Sequence, residues 1–228
     1  TKLPHIEVEG IYTHFSNADD RDKSCTKRQF ETFKRVLDRL EEEKIHIQIK
    51  HAANSATILD LPEYKLDMVR PGIILYGHYP SESVNQDIMD LQPAMALKSR
   101  ISNIKELDKG IGVGYGQTFV TKRKSKIATL PIGYADGYSR MLSRKAEVSI
   151  HNKRVAVVGN ICMDQLMIDI TDVQHVDLND KVVLFGYRDK NEPTVEELGE
   201  LLGTIHYEIL CMISMRVPRV YMNHGKFI

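Results

Sequence analysis

Ile45-His46-Ile47-Gln48-Ile49-Lys50-His51-Ala52-Ala53-Asn54-Ser55-Ala56 is the stretch on which the reading of the fold turns. Isoleucine recurs at positions 45, 47 and 49, the period of a strand with one apolar face. The polar His51 ends the alternation. Asn54 and Ser55 follow, residue types whose side-chain oxygens cap a helix by accepting from its unpaired N–H groups. A short helix is expected from there to about Leu61, where Pro62 stops it. The stretch therefore reads as strand, polar strand end, helix.

The same alternation extends outward. Upstream, Ile11-Tyr12-Thr13-His14-Phe15 after Gly10 is a short strand, and residues 22–44 are a helix. Its Phe30, Phe33, Val36, Leu37 and Leu40 keep helical spacing opposite a charged face. Downstream, Met68 to Gly77 reads as a further strand. Strands alternating with helices point to a parallel sheet. Three such strands leave two open edges and a half-covered face, and a (β/α)8 barrel closes only with eight. The expected class is α/β plus β. Residues 1–90 form the C-terminal portion of a (β/α)8 barrel, with polar Ser81–Asp90 as linker. Residues 91–228 form a β-rich, barrel-like domain. There Met95–Leu107, Lys126–Ile132, Ala146–Ile150, Arg154–Val158, Leu166–Ile170 and Lys181–Phe185 are strand candidates, and Thr194–Leu202 is a helix.

Charge excludes some functions. Lys plus Arg equals Asp plus Glu, 31 against 31, so no electrostatic footprint for nucleic acid or an anionic membrane exists. Lys122-Arg123-Lys124 reads as a solvated turn. Cys25, Cys162 and Cys211 are odd in number and form no C-x-x-C, which argues against a disulfide framework or zinc site and for a reducing cytoplasm. No apolar run approaches the ~18 residues of a membrane span. The histidines show no H-x-x-x-H or H-E-x-x-H spacing, so no metal is expected. Thr1-Lys2-Leu3-Pro4-His5 has neither an initiator Met nor a signal-peptide core and reads as the middle of something longer.

Polar residues gather at the C-terminal ends of the expected parallel strands: His14, then His51 with Asn54 and Ser55, then Arg70. Barrel active sites are built on that edge. Ser55 is either a plain helix cap or, with the backbone N–H groups of Gly72 and Ile73, a phosphate ligand. Gly110-Ile111-Gly112-Val113-Gly114-Tyr115-Gly116 is either a flexible hairpin loop or a device that holds the Tyr115 phenol at a tip where substrate approaches closely.

Several stretches carry a family resemblance. Tyr12-Thr13-His14-Phe15, His51-Ala52-Ala53-Asn54-Ser55-Ala56, Met68-Val69-Arg70-Pro71-Gly72-Ile73 and Gly114-Tyr115-Gly116 resemble alanine racemase motifs. So do Pro131-Ile132-Gly133-Tyr134-Ala135-Asp136-Gly137, Gly159-Asn160-Ile161-Cys162-Met163-Asp164-Gln165 and Arg216-Val217-Pro218-Arg219, all in the family's order. The resemblance implies a racemase that uses pyridoxal 5'-phosphate to interconvert L- and D-alanine for peptidoglycan. It also implies a head-to-tail homodimer in which each active site joins one subunit's barrel to the other's β domain. Tyr115 would be the base on one face of the substrate. His14, Arg70 and His51 would form the hydrogen-bonded chain behind it and the cofactor, with Arg70 on the pyridine nitrogen. Asn54, Ser55, Gly72 and Ile73 would hold the cofactor and its phosphate, the Met163 N–H would meet the substrate carboxylate, and Tyr134 would line the entrance. Racemisation needs one base per face. A free phenol ionises only near pH ~10, so a tyrosine in this role requires neighbouring positive charge or hydrogen bonds, which His14 and Arg70 would supply.

The match also has departures. The family's cofactor-binding lysine, a substrate-binding Arg and a phosphate-binding Tyr belong to a preceding segment, so the 228 residues alone are expected neither to hold the cofactor covalently nor to racemise alanine. Met215 stands where many relatives place a Tyr near the phosphate, and Asn160 where an Arg is common near the entrance. Two alternatives remain: a serine/alanine racemase of the same fold, and a non-catalytic fragment used as a binding or assembly module.

Overall fold

The computed structural model describes residues 3–223 and 226–228. It divides into two compact units, residues 1–94 and 95–228.

In the first unit, strand β1 (Gly10–Tyr12) lies parallel to β2 (Ile49–His51), with Tyr12 opposite His51. The strand expected from Ile45 begins only at Ile49. Ile45 is exposed and Ile47 points into the core. Between the two strands runs helix α1 (Ser24–Glu42), which packs Phe30, Phe33 and Leu37 against Phe15, Leu59 and Tyr64. The Phe30 and Tyr64 rings stack with centroids 3.8 Å apart. Val36, expected on this face, is exposed. Helix α2 (Ser55–Asp60) starts at Asn54, whose Oδ1 accepts from the Thr57 N–H at 3.1 Å.

Met68–Gly77 is not a strand. Met68 alone bridges to His51 in parallel, and Ile73–Tyr76 forms a single 3-10 turn ending in left-handed Gly77. Pro71 has no N–H to give a ladder, and the Arg70 N–H already donates to Ala53 O at 2.9 Å. The polar Ser81–Asp90 stretch is packed on this unit and does not hang free. Val84 is buried, Ser81 Oγ donates to Asp19 O, and the Asn85 N–H donates to Asp60 Oδ1.

The second unit is built on a seven-stranded antiparallel sheet. Its strands are β3 (Leu97–Arg100), β4 (Asn103–Leu107), β7 (Ser125–Leu130), β8 (Glu147–Ile150), β9 (Lys153–Val158), β10 (Leu166–Asp169) and β11 (Lys181–Phe185). A separate hairpin, β5 (Gly112–Val113) with β6 (Phe119–Val120), precedes β7. The order in the sheet is β3-β11-β8-β9-β10-β7-β4. The two outermost strands, β3 and β4, are joined only by Ile101 and Ser102. Ile101 exchanges backbone bonds with Asn179 and Asp180 beside β11, while the Ser102 N–H donates to Thr129 O on β7. Consecutive residues thus bond to opposite ends of the sheet, so the sheet curls and its two edge strands, which do not pair with each other, come together at this corner. β8 and β9 are joined by a two-residue turn, His151-Asn152, with both φ positive (48° and 59°), the type I′ geometry that matches strand twist. Leu130, Val148, Ile150, Leu166, Ile168, Leu184 and Phe185 are almost fully buried. Helix α3 (Val195–Leu202) is capped by Thr194 and anchored to β9, where Arg154 grips both carboxylate oxygens of Glu197. Helix α4 (His206–Met212), not foreseen from the sequence, follows Gly203, whose φ of 71° ends α3. Among the described residues no helix is long and apolar enough to cross a membrane.

Ile101 is wholly buried at the corner where the edges join. Replacement by Ala is expected to lower unfolding stability by about 2–5 kcal/mol, the range for a large-to-small change in a packed core. Urea denaturation of the variant measures this, and a loss no larger than that of a surface substitution would show that the corner is loosely packed.

Candidate active site

The parallel register of β1 and β2 brings two histidines to neighbouring strand ends, and Arg70 reaches both. Its Nη1 lies 2.6 Å from His51 Nδ1 and its Nη2 lies 3.1 Å from His14 Nδ1. Nη2 also donates to Thr13 O at 3.0 Å and to Ala52 O at 3.4 Å. A guanidinium has only donors, so both Nδ1 atoms must accept, and the proton of each neutral ring sits on Nε2. Burial, and then the Arg70 charge, hold the His51 pKa below its ordinary value. Tyr12 completes the group: its ring stacks on His51 at 5.2 Å and carries the Arg70 guanidinium over its face at 5.1 Å. Tyr12 was not singled out from the sequence, although its register opposite His51 follows once the two strands are paired.

Ser55 and Gly72 meet in the same unit. Ser55 is buried and its Oγ accepts from the Gly72 N–H at 2.8 Å. The Gly72 amide is therefore turned onto the hydroxyl, and the hydroxyl keeps its own proton to donate outward. Ile73 is buried at the start of the 3-10 turn, and Asn54 is engaged in capping α2.

The remaining candidates lie in the second unit. Tyr115 sits at the tip of the β5–β6 hairpin, 77% exposed. Gly114 (φ 73°, ψ −178°) and Gly116 (φ 72°) flank it in conformations that side chains resist. The hairpin is seated on the sheet by Val113 and Phe119, packed with Ile127, Val158 and Met167. Asn160 Nδ2 donates to Tyr115 O at 2.8 Å. Beyond Asn160 the loop 159–165 is clamped: the N–H groups of Tyr134 and Ala135 donate to Cys162 O and Met163 O at 3.0 and 2.9 Å. A Cβ on Gly133 would lie 2.3 Å from Cys162 O, so only glycine permits that approach. Met163 and Tyr134 are both exposed beside this clamp. Asp136, overlooked in the sequence, is buried and accepts from the Gly133 N–H at 2.9 Å while facing Arg216. Its spacing three residues after Gly133 is the signal that marks it. Arg219 donates to Ile213 O and Val217 O, fixing the chain after α4, and Met215 projects into solvent at 98% exposure. The structure thus joins His14, His51 and Arg70 in one cluster, Ser55 with Gly72 in another, and Tyr115, Tyr134 and Met163 on three interlocked loops. Among the described residues no group of three or more His, Cys, Asp or Glu side chains is placed to hold a metal ion.

The histidine geometry is measurable. By NMR, His51 is expected to titrate below the usual histidine value of about 6.5, and Arg70→Met should raise it toward that value. A folded-state pKa that is lowered means the unfolded chain binds the proton more tightly. The contribution of His51 to stability is therefore present above the unfolded pKa and is lost as pH falls through the folded one. An ordinary midpoint for His51 in the folded chain would count against the accepting Nδ1.

Comparisons with known proteins bear on both units. The family model described as alanine racemase, N-terminal domain, matches residues 1–80, and the one for the C-terminal domain matches residues 94–221. The alanine racemase of Methanococcus maripaludis is 54% identical over 97% of this chain, and that of Clostridium tetani 52% identical over 100% of it. The chain spans 59% of the length of each. Among solved structures, alanine racemase of Clostridium difficile 630 in complex with cycloserine superposes with a TM-score of 0.94 at 47% identity, covering all of this chain and 60% of that one. The Bacillus anthracis alanine racemase with bound L-Ala-P gives 0.93 at 39% identity, covering 99% of this chain and 58% of that one. The first unit corresponds to part of the barrel domain of these proteins and the second to their β-rich domain. With both units matched along nearly the whole sequence, the chain belongs to the alanine racemase family.

Proposed function

We propose that this chain is the part of an alanine racemase that supplies one catalytic base and most of the cofactor cradle. Such an enzyme interconverts L- and D-alanine with pyridoxal 5'-phosphate and provides D-alanine for peptidoglycan. The reading places it in the cytoplasm as a homodimer with shared sites, Tyr115 of one subunit acting beside the barrel unit of the other. The observation that carries the reading is Arg70, a donor-only cation fixed by four acceptors at the strand ends.

The residues present suit the cofactor. Arg70 offers a fixed donor to a pyridine nitrogen, and the free proton of the Ser55 hydroxyl, oriented by the Gly72 N–H that it accepts, suits a phosphate together with the backbone at Ile73. Asn54 holds the turn that presents Ser55. When bound, pyridoxal phosphate supplies the electron sink that lets the substrate Cα–H ionise. Tyr115 removes or returns the proton on one face. His14 and His51 pass the influence of the Arg70 charge toward the phenolate and keep the cluster's protons in fixed places. The Met163 N–H orients the substrate carboxylate, and Tyr134 narrows the approach. A guanidinium keeps its protons at any working pH, so Arg70 cannot protonate the ring nitrogen. That moderates the sink and favours return of the proton over transamination. Each relative named above is an alanine racemase, which favours alanine over serine as substrate.

Two measurements on the longer racemase that contains this chain test the reading. With L-alanine and pyridoxal phosphate, D-alanine should form, and Tyr115→Phe should lower kcat by about 10²- to 10⁴-fold, the worth of a positioned base. A variant as active as the parent, or faster turnover of serine than alanine, would defeat it. Arg70→Glu should raise the pyruvate formed per racemisation event. An unchanged ratio would remove the argument about the ring nitrogen.

A further inference from the structure

Tyr115 is 77% exposed in the single chain, so packing within its own chain does not hold the ring in one place. Its pose is set by the backbone, yet the backbone on both sides is glycine, the residue with the widest conformational freedom. One side-chain bond enters this gap. Asn160 Nδ2 donates to Tyr115 O at 2.8 Å and so fixes the plane of the peptide between the two hinges. Asn160 is itself held. Gly159 (φ 69°) packs so closely that a Cβ there would lie 2.8 Å from Val113 O, the Ile161 N–H donates to Ser143 Oγ at 2.9 Å, and the Cys162 N–H donates to Gln165 O at 2.8 Å. Met167 Cε and the Asn160 backbone fill the space under Gly114. The loop that carries Asn160 also carries Met163.

We infer that Asn160 is a positioning residue for Tyr115, tying the tyrosine tip to the 159–165 loop so that Tyr115 and Met163 share one rigid frame. Asn160 touches the peptide of Tyr115 and not its phenol, so it acts through pose alone. What Tyr115 then does to a substrate rests on the racemase reading; the tether itself does not.

Asn160→Asp keeps the shape and replaces the donor with an oxygen that faces a carbonyl; Asn160→Ala removes the bond outright. In the 228-residue chain, hydrogen exchange at the Gln117 amide, whose bond to Gly114 O closes the tip, should rise by about five- to tenfold in both variants. Backbone order parameters at Tyr115 and Gly116 should fall. Order parameters in the β8–β9 hairpin should stay as in the parent, and the unfolding constant should rise by no more than the same factor, because the bond is absent from both the opened tip and the unfolded chain. In the longer racemase, kcat should fall by about 10- to 100-fold with KM nearly constant. An unchanged tip in both variants overturns the proposal. So does loss of backbone order spread over the whole unit, and so does a loosened tip with undiminished kcat. A parent enzyme without racemase activity would sink the racemase reading, while the exchange data would still decide the tether.

Discussion

The Arg70 guanidinium can only donate, and the rest of the strand-end cluster is arranged around that constraint. Two imidazoles must present lone pairs to it, two backbone carbonyls share the Nη2 protons with His14, and the Tyr12 face lies against it. A lysine in its place would lack the planar fork that reaches several acceptors at once. The positions of protons in the cluster then follow from valence alone. The histidines are not free to choose tautomers, and His51 resists taking a second proton because it is partly desolvated beside a permanent cation. A site meant to move one particular proton gains from neighbours that cannot move theirs.

The second unit solves a different problem, holding an exposed tyrosine at the tip of a short hairpin. A curled antiparallel sheet supplies the stiff base, Val113 and Phe119 seat the hairpin on it, and backbone-to-backbone contacts at Gly133 and Gly159 interlock the surrounding loops. Side chains are absent where two stretches of main chain must nearly touch. Rigidity here comes from close approach of backbone to backbone, and the Asn160 bond extends it to the short segment between Gly114 and Gly116.

Much of this was legible in the residues. Short apolar, β-branched runs located most strands of the second unit to within a residue or two. Met95–Leu107, which reads as one run, is instead β3 and β4 parted by the Ile101–Ser102 corner. The two-residue strands β5 and β6 are too short to show. The placement of His14 and His51 at neighbouring strand ends followed from the βα rhythm, while Arg70 reaches them from an irregular segment that bridges to β2 only through Met68. The Met68–Gly77 stretch misled because Met68, Val69, Ile73 and Ile74 have the composition of a buried strand, while Pro71 and the bond from Arg70 to Ala53 forbid the ladder. The polar Ser81–Asp90 stretch resembled a linker because its attachments are hydrogen bonds and one valine, which leave little trace in hydropathy. Tyr12, Asp136 and Asn160 were missed as working parts for a common reason. Each has a partner distant in sequence, His51, Arg216 and Tyr115, and those pairings emerge with the fold, although the Gly133–Asp136 spacing left a local mark.

The corner at Ile101 and Ser102 carries a consequence for how the molecule comes into being. Ser102 finds its mate on β7 soon after it is synthesised, but Ile101 must wait for Asn179 and Asp180, far later in the chain. Until those residues emerge, β3 offers an unmatched row of amides and carbonyls to any neighbour. Such long-range pairings are slow to form, because much chain must be ordered before they can close. During translation, the most vulnerable interval for this protein is the one in which β11 has yet to leave the ribosome.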